Sequence, residues 1–287
     1  MIRSIDNQKG FSLIELMISI AIFGIVVAGV IYAFQDQLKS HNTQQSVLSM
    51  QQNARAAMYY MTRELKLAGL DWTGDADAGI LTAARNQLRF SMDFTGGYCD
   101  GVDDDGNDGA DEGCNGNDEN GNSLIDEPDE WEWFNGNTND PNEDVTYMLS
   151  NDADGDGVCD GLPTDLNNGS ACNLIRRSQA AAAFQILAAN IDALNFHYLG
   201  RDPSNATCDI NCPLVAPVTA ANLGDIRSVQ ITLVARAGQN VPVFSYKVRD
   251  DRIYRNQNDD IILPAQNDQF RRLYLTTEIR CRNIGLN

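Results

Sequence analysis

The chain has 287 residues, of which 40 are acidic and 21 are basic, so its formal net charge is −19. This charge repels phosphate backbones and the sequence has no basic stripe, so we expect no direct nucleic-acid binding. No linker rich in proline and glycine separates two apolar halves, which indicates one globular core rather than two.

The first predicted element is an apolar helix close to the amino terminus. Residues 11–34 contain a single charged residue, Glu15. At 1.5 Å per residue a helix of this length measures roughly 36 Å, which is enough to cross the apolar core of a bilayer. Arg3 and Lys9 precede it, so the positive-inside rule places residues 1–10 in the cytoplasm and the rest of the chain outside.

A secretory signal peptide is the alternative interpretation of this segment. Such a signal has a shorter apolar run that is followed by small residues at the cleavage site. Here the small-residue boundary, Lys9-Gly10, precedes the run, so cleavage would leave the helix on the protein. A carboxylate costs about 2.5–3.5 kcal/mol at the centre of a membrane and less near its surface, so Glu15 needs a partner.

The segment KGFSLIELMISIAIFGIV resembles the prepilin motif that type IV pilins share with type II secretion pseudopilins. The resemblance implies that residues 1–10 are a leader, that prepilin peptidase cuts after Gly10, and that Phe11 becomes the N-methylated mature terminus. It also implies that Glu15 meets the N-terminal amine of a neighbouring subunit. The protein would cross the bacterial inner membrane once, with its head in the periplasm, and later enter a pilus at the cell surface.

After the apolar run, small and apolar residues recur at three- and four-residue spacing, which predicts that the helix continues to about Ala68 with Gly69 as its C-cap. The helix would thus have a transmembrane half, 11–34, and an amphipathic half, 35–69, followed by a β-rich head, 70–287. The apolar stripe of the second half consists of Val47, Met50, Ala54, Ala57, Met58, Met61, Leu65 and Ala68.

Downstream the hydrophobic period changes to two, which predicts strands. An antiparallel sheet packed on the apolar stripe of the helix gives an α+β fold. The candidate strands are those around Leu194, Phe196 and Tyr198 and around Val229, Ile231 and Leu233, together with Gln87–Asp93, Val145–Ser150, Asn173–Arg177, Val243–Arg249 and Arg271–Arg282. Four segments, NARAAMYYMTRELKLAGL, ANIDALNFHYLG, IRSVQITLVAR and LTTEIRCRNIGLN, also resemble PilW-type minor pilins, which implies the pilin-like form of this fold.

An acidic insertion, 99–165, lies in a stretch without Lys or Arg between Arg89 and Arg176, and this stretch holds more than half of the acidic residues. Within it, one pattern of alternating Asp and Asn around a glycine occurs three times, and convergent oxygens of this kind suit Ca²⁺ better than Mg²⁺. The predicted calcium ligands are Asp103, Asp105, Asn107 and Asp111; Asp118, Asn120, Asn122 and Asp126; and Asp152, Asp154, Asp156 and Asp160.

The repeats resemble EF-hand-like and thrombospondin type 3 calcium loops, with two departures. Pro163 stands where the third loop would need its bidentate acid, and no helix-loop-helix pattern surrounds the repeats. A solvated acidic loop that binds no metal is therefore the alternative.

Seven cysteines follow residue 90, and none has the Cys-x-x-Cys spacing of a zinc site. Disulfides are the expected use, which indicates an oxidising compartment and leaves one cysteine free or paired between chains. The connectivity stays open, although a bond between Cys99 and Cys114 would close the first acidic loop. The disulfide candidates are Cys99, Cys114, Cys159, Cys172, Cys208 and Cys212.

No enzymatic motif stands out. The only histidines are His41 and His197, and P-loop, Rossmann and Gly-x-Ser-x-Gly patterns are absent from the sequence. We expect a structural protein, a minor pilin that acts in the assembly or initiation of type IV pili, with a calcium-stabilised head; both the filament tip and the shaft stay open as its position. Its partners would be prepilin peptidase, the inner membrane before assembly, and other pilins. A type II secretion pseudopilin and a calcium-dependent tip adhesin are the alternatives.

Overall fold

The computed structural model describes residues 11–71, 76–94, 138, 142–160, 172–179, 182–202, 208, 211–237 and 250–285. The chain divides into an amino-terminal unit, Met1–Ser46, and a second unit, Val47–Asn287.

One long helix, α1 (Leu13–Leu65), forms because its sequence contains no proline and starts with a run of apolar residues. Every side chain from Phe11 to Asn42 is exposed. In the second unit the helix packs one stripe into the core, which confirms the predicted periodicity. Its buried residues are Met50, Ala54, Ala57, Met61 and Leu65, and Val47 and Met58 are partly buried beside them.

The helix ends at Leu65, slightly earlier than the predicted end near Ala68. Beyond it the hydrogen bonds tighten to a three-residue spacing, from Leu67 N to Glu64 O at 2.9 Å and from Ala68 N to Leu65 O at 3.3 Å. Gly69 then adopts a φ of +74°, and a Cβ there would lie 2.9 Å from Ile284 Cγ1. The glycine thus turns the chain out of the helix, a few residues beyond a regular C-cap position.

The strands of the described residues are β1 (Ile80–Ala83), β2 (Leu88–Ser91), β3 (Asp144–Leu149), β4 (Cys172–Arg177), β5 (Gln185–Gly200), β6 (Cys212–Leu214), β7 (Ile226–Arg236), β8 (Tyr254–Arg255), β9 (Ile261–Leu263) and β10 (Arg272–Arg280). Eight of them form a fully antiparallel sheet in the order β1-β2-β3-β4-β5-β7-β10, with β6 also paired to β5. A separate hairpin pairs β8 with β9.

Most of the predicted strands are present with ends shifted by a few residues. Strands β2, β3, β4, β5, β7 and β10 match predicted segments, whereas Val243–Arg249 lies outside the described residues. The short strands β1, β6, β8 and β9 and a 3-10 helix, Ala220–Asp225, were not predicted.

The two faces of the sheet carry different cores. Leu194, Phe196 and Tyr198 of β5 face the cluster that contains the helix stripe. Ala193 of the same strand instead joins a smaller cluster under the β8–β9 hairpin, with Val234, Tyr254, Ile262 and Leu263. The α+β prediction of a helix packed on an antiparallel sheet is therefore confirmed, with a hairpin added on the other face.

A buried ion network fixes the segment around this hairpin. Arg272 of β10 donates from Nε to Asp192 at 2.7 Å and from both Nη atoms to Asp268, at 2.7 and 2.6 Å. Nη1 of Arg272 also reaches Asp250 at 3.3 Å. The guanidinium of Arg272 is fully buried, and pairing with several carboxylates compensates for its lost hydration.

The range of the predicted acidic insertion contains a strand, in agreement with the predicted segment Val145–Ser150. Strand β3 divides the range 99–165, because Val145, Tyr147 and Leu149 are buried in the core. The third acidic repeat therefore follows a core strand and lies apart in sequence from the other two.

Candidate functional site

The amino-terminal motif is described from Phe11 onwards, and Gly10 lies outside the described residues. The side chain of Phe11 is 90% exposed. Glu15 lies in the first turn of α1, where its Oε2 accepts a hydrogen bond from Ser12 N at 3.0 Å. The helix start itself is formed by a bond from Leu16 N to Ser12 O at 3.1 Å.

Glu15 thus has a partner within its own chain, which the sequence reasoning missed. A glutamate at the third helical position that accepts from the backbone N–H of a preceding serine is half of a capping box. The signal was present as Ser12-Leu13-Ile14-Glu15. A carboxylate at this end of a helix is also stabilised by the helix dipole.

The exposed half of α1 has the length and composition of a membrane span. Helix Leu13–Leu65 contains an 18-residue window that is strongly apolar, holds at most two charged residues and is 0% buried. Exposed side chains include Leu13, Ile14, Met17 and Phe23. So large a contiguous apolar surface is not stable in water and requires a bilayer or a protein partner.

The third acidic repeat, Asp152–Asp160, brings three of its four predicted ligands together. One carboxylate oxygen from each of Asp152, Asp154 and Asp156 lies within 4.8 Å of the others. The fourth predicted ligand, Asp160, instead accepts a hydrogen bond from Ala153 N. The first two repeats, Asp103–Asp111 and Asp118–Asp126, lie outside the described residues.

Backbone hydrogen bonds hold this loop in a curled form. Asp152 accepts from Gly155 N at 3.0 Å and from Gly157 N at 3.1 Å. Asp154 accepts from Asp156 N at 3.2 Å, and Asp156 accepts from Val158 N at 2.7 Å. The carboxylates are thereby oriented by the chain that carries them, which lowers the entropy lost when they bind a cation.

The loop is also attached to β5. Leu194 N donates to Gly157 O and Cys159 N donates to Asp192 O, both at 2.9 Å. Gly157 has a φ of +86°, and a Cβ there would collide with the carbonyl oxygen of Leu194. Glycine is therefore needed at this position for both conformation and close approach.

The electrostatics of the loop suit a bound cation. Burial raises the pKa of Asp152, and the nearby charge of Asp154 raises it further. Hydrogen bonds from Asn86, Gly157 and Gly155 lower this pKa but do not cancel the increase. Burial likewise raises the pKa of Asp156, with added repulsion from Asp154, Asp152 and Asp160. An all-oxygen donor set whose charges repel one another fits Ca²⁺, although a complete shell of 6–8 oxygens would need carbonyls or water as well.

Residues 5–31 match the family model described as the prokaryotic N-terminal methylation motif. In this motif the chain is similar to type IV pilins. Fimbrial protein Q of Moraxella bovis is 37% identical to it over 97 residues, which are 32% of this chain and 62% of the relative. The chain thus spans less than two thirds of the length of that relative. A solved type IV-like pilin from Thermus thermophilus aligns over 82% of this chain and 97% of its own, with a TM-score of 0.37 and 9% identity.

Two disulfides lie in the described part of the chain. Cys159 is bonded to Cys172, and Cys208 is bonded to Cys212. The first bond joins the end of the third acidic loop to β4, so it restrains the loop at the same end as its β5 contacts. Cys281 is a buried free thiol, and the predicted partners Cys99 and Cys114 lie outside the described residues.

Proposed function

We propose that this pilin-like protein is a minor pilin, a structural subunit that is held in the inner membrane before it enters a type IV pilus and that acts in pilus assembly or initiation. The observation that carries the proposal is the exposed apolar half of α1, which begins within the methylation motif at residues 5–31. Such a helix can occupy a bilayer before assembly and a filament core afterwards.

Glu15 supplies the charge for assembly in this proposal. Its carboxylate has one contact that the structure describes, at Oε2, with Ser12 N. A carboxylate has about four acceptor positions, so an amine of an adjacent subunit can bind without breaking that contact. The charge would be costly in an apolar filament core without this second partner.

Substitution of Glu15 separates these two roles. Glu15→Gln keeps an acceptor for Ser12 N but removes the charge, whereas Glu15→Leu removes both. We expect both variants to insert into the membrane at least as well as the wild type, and both to lose most incorporation into sheared filaments. Asp36→Asn, on an exposed position of the same helix, is the matched control and should assemble normally.

Immunoblots of membrane and sheared-pilus fractions measure both steps, and mass spectrometry should find N-methylated Phe11 as the first residue of every variant. Normal incorporation of Glu15→Gln would contradict the charge-pairing role. A mature chain that begins elsewhere would contradict cleavage after Gly10. Loss of protein secretion with intact pili, after deletion of the gene, would favour the pseudopilin alternative instead.

We propose further that the third acidic loop binds Ca²⁺ and stabilises the head. Asp152, Asp154 and Asp156 would hold the ion, which supplies positive charge that offsets their repulsion. Extracellular modules bind calcium with Kd of about 10⁻⁴–10⁻³ M, so the loop would fill outside the cell and stay empty in the cytoplasm.

Thermal melts with chelator and with calcium test this second proposal. At 100-fold excess over Kd a single site adds about 2.7 kcal/mol to the free energy of unfolding, so we expect a clear rise in Tm. The double variant Asp154→Asn, Asp156→Asn should reduce that rise, and Asp251→Asn, Asp259→Asn, at exposed positions elsewhere in the head, should not. An unchanged Tm in calcium, measured on wild-type protein with intact disulfides, would contradict calcium binding. The loop would then be a solvated acidic segment.

A further inference from the structure

A small polar cleft lies on the face of the sheet that carries the β8–β9 hairpin. Asn195 and His197 of β5 line it, and they alternate with Leu194, Phe196 and Tyr198, which face the helix side. The turn between β1 and β2, the end of β6 with the residues after it, and the loop between β8 and β9 complete its walls. The cavity has a volume of about 130 Å³ and lies wholly within the unit Val47–Asn287.

One wall of the cleft is prearranged by Asn256. Its Nδ2 donates to Asn195 Oδ1 and to Asp260 Oδ2, each at 3.1 Å. Its Oδ1 accepts from Asn258 N at 3.0 Å and from Asp260 N at 2.9 Å. Both ends of this buried amide are therefore used inside the protein, and the loop is fixed before any ligand arrives.

Other polar groups of the cleft keep unused hydrogen-bonding capacity. Asn195 is only 6% exposed, and its Nδ2 donates to no atom of the described residues. Asp260 accepts through Oδ2, from Asn256 and from Asn258 at 3.4 Å, which leaves Oδ1 available. The side chains of Arg85 and His197 line the cleft without a hydrogen bond to the described part of the chain, although the backbone carbonyl of Arg85 accepts from Phe196 N. The amide nitrogen of Asn195 can therefore donate to an acceptor of a ligand or to water.

The cleft contains both a positive and a negative side chain, which limits the net charge of a ligand that can bind there. An anion would meet the carboxylate of Asp260, and a cation would meet the guanidinium of Arg85. Burial lowers the pKa of His197, which opposes the effect of nearby Asp260, so at neutral pH the imidazole is neutral and offers one donor and one acceptor. A neutral ligand whose polar groups both donate and accept satisfies all four side chains.

The rim of the cleft adds an apolar surface. Val215 is 84% exposed and Pro213 lies beside it on β6. Hydroxyl groups at one edge and C–H groups on one face are the features of a sugar ring, and the cavity is too small for a nucleotide or a folded peptide. We propose that this cleft binds a saccharide through a pair of adjacent ring hydroxyls, with Asn195, Asp260, Arg85 and His197 as the polar contacts and Val215 against the ring.

Saturation-transfer NMR on the full-length protein tests the proposal. The protein is kept in lauryldimethylamine oxide, because detergents with sugar headgroups would compete. The probes are free glucose, galactose, mannose and N-acetylglucosamine, with tetrahydropyran as a ring that lacks hydroxyls. We expect saturable transfer to at least one of the four sugars and none to tetrahydropyran.

Two variants locate the site. Arg85→Gln removes an exposed cation that has no hydrogen bond to the described residues, and Val215→Asp places a charge at the apolar rim, so neither should unfold the head. Each should raise the Kd for the sugar about tenfold or more. Arg85→Gln loses a hydrogen bond from a charged group, and Val215→Asp removes the apolar surface for the ring. Arg280→Gln, at an exposed position of β10 away from the cleft, is the control and should bind like the wild type.

The outcome decides the proposal whether or not the protein assembles into filaments. Absence of transfer to all four sugars overturns it, as does equal transfer to tetrahydropyran. Unchanged binding by both Arg85→Gln and Val215→Asp, with Tm values equal to the wild type, would place any sugar binding elsewhere.

Discussion

The two halves of helix α1 have the same secondary structure and opposite surroundings. Between Phe11 and Asn42 every side chain is exposed, whereas between Met50 and Leu65 one side of the helix is buried in the head. Residues 11–34 are apolar on all sides apart from Glu15 and two serines, whereas the buried part of the helix is apolar along one stripe. The second part of the helix is therefore stabilised by the sheet, whereas a bilayer and neighbouring subunits are the partners proposed above for the first part.

The largest expected effect comes from truncating the buried stripe. Leu65 is 1% exposed, and Leu65→Ala should lower the free energy of unfolding by about 2–5 kcal/mol through lost burial and a residual cavity. Leu48 lies on the same helix but is 55% exposed, so Leu48→Ala should change the free energy of unfolding by about 0.5 kcal/mol or less. Urea denaturation of both variants measures the contrast, and equal losses would mean that the stripe is assigned to the wrong side.

A smaller effect is expected from the polar contact that ties α1 to the sheet. Glu64 accepts from Nε of Arg176 at 3.1 Å and from the hydroxyl of Tyr147, in a partly buried cluster. Burial, followed by the charge of Glu64, raises the pKa of Tyr147, so the phenol remains a donor throughout the physiological range.

Glu64→Gln should therefore cost about 1.5–3 kcal/mol, because Arg176 loses a charged acceptor. Asp36→Asn, in the exposed half, should leave the unfolding free energy unchanged. The same urea titrations compare the two substitutions. If Asp36→Asn proved as destabilising as Glu64→Gln, the exposed half would have a folded partner within the chain.

The smallest effect is a change in reactivity rather than stability. Burial raises the pKa of Cys281 to about 12, so at pH 8 roughly 10⁻⁴ of these thiols are ionised, against about a quarter for a free cysteine. Iodoacetamide should consequently label Cys281 very slowly in the folded protein and rapidly in urea. Because Cys281 belongs to the core that contains the helix stripe, Leu65→Ala should accelerate labelling.

The variant Cys281→Ser is the control for this measurement, since any label that it retains must lie on another cysteine. Fast labelling of the native wild type at pH 8, absent from Cys281→Ser, would show that this part of the core is open.

The sequence was sufficient wherever one local period decides burial. The three- and four-residue spacing of Met50, Ala54 and Ala57 predicts their burial because neighbouring turns of one helix set it. Likewise, alternation along β5 and β7 predicts which of their residues face the helix.

Features built from distant residues could not be predicted in this way. From the sequence, Arg272 would be expected to be an exposed residue of a strand. Its burial depends on ion pairs with Asp192, Asp250 and Asp268, which the sequence pattern does not place beside it. The β8–β9 hairpin is too short to give a periodic signal, so the cleft that it helps to form was missed. In the third acidic loop Asp152, Asp154 and Asp156 lie close together, whereas the N–H of Ala153 holds Asp160, and their role as calcium ligands stays a prediction.

The sheet order has a consequence for how the chain is made. β7 is paired on one side by β10, which ends at Arg280, and the same core contains Met50 near the beginning of the head and Ile284 near its end. Asn283 also donates to Lys66 O at 3.3 Å, directly after the helix. Synthesis proceeds from the amino terminus, so the core around the helix stripe cannot close until the residues up to Ile284 have been made. A nascent or truncated chain that stops before Arg272 keeps its apolar amino-terminal helix but exposes the long edge of β7, which makes it a substrate for aggregation or proteolysis.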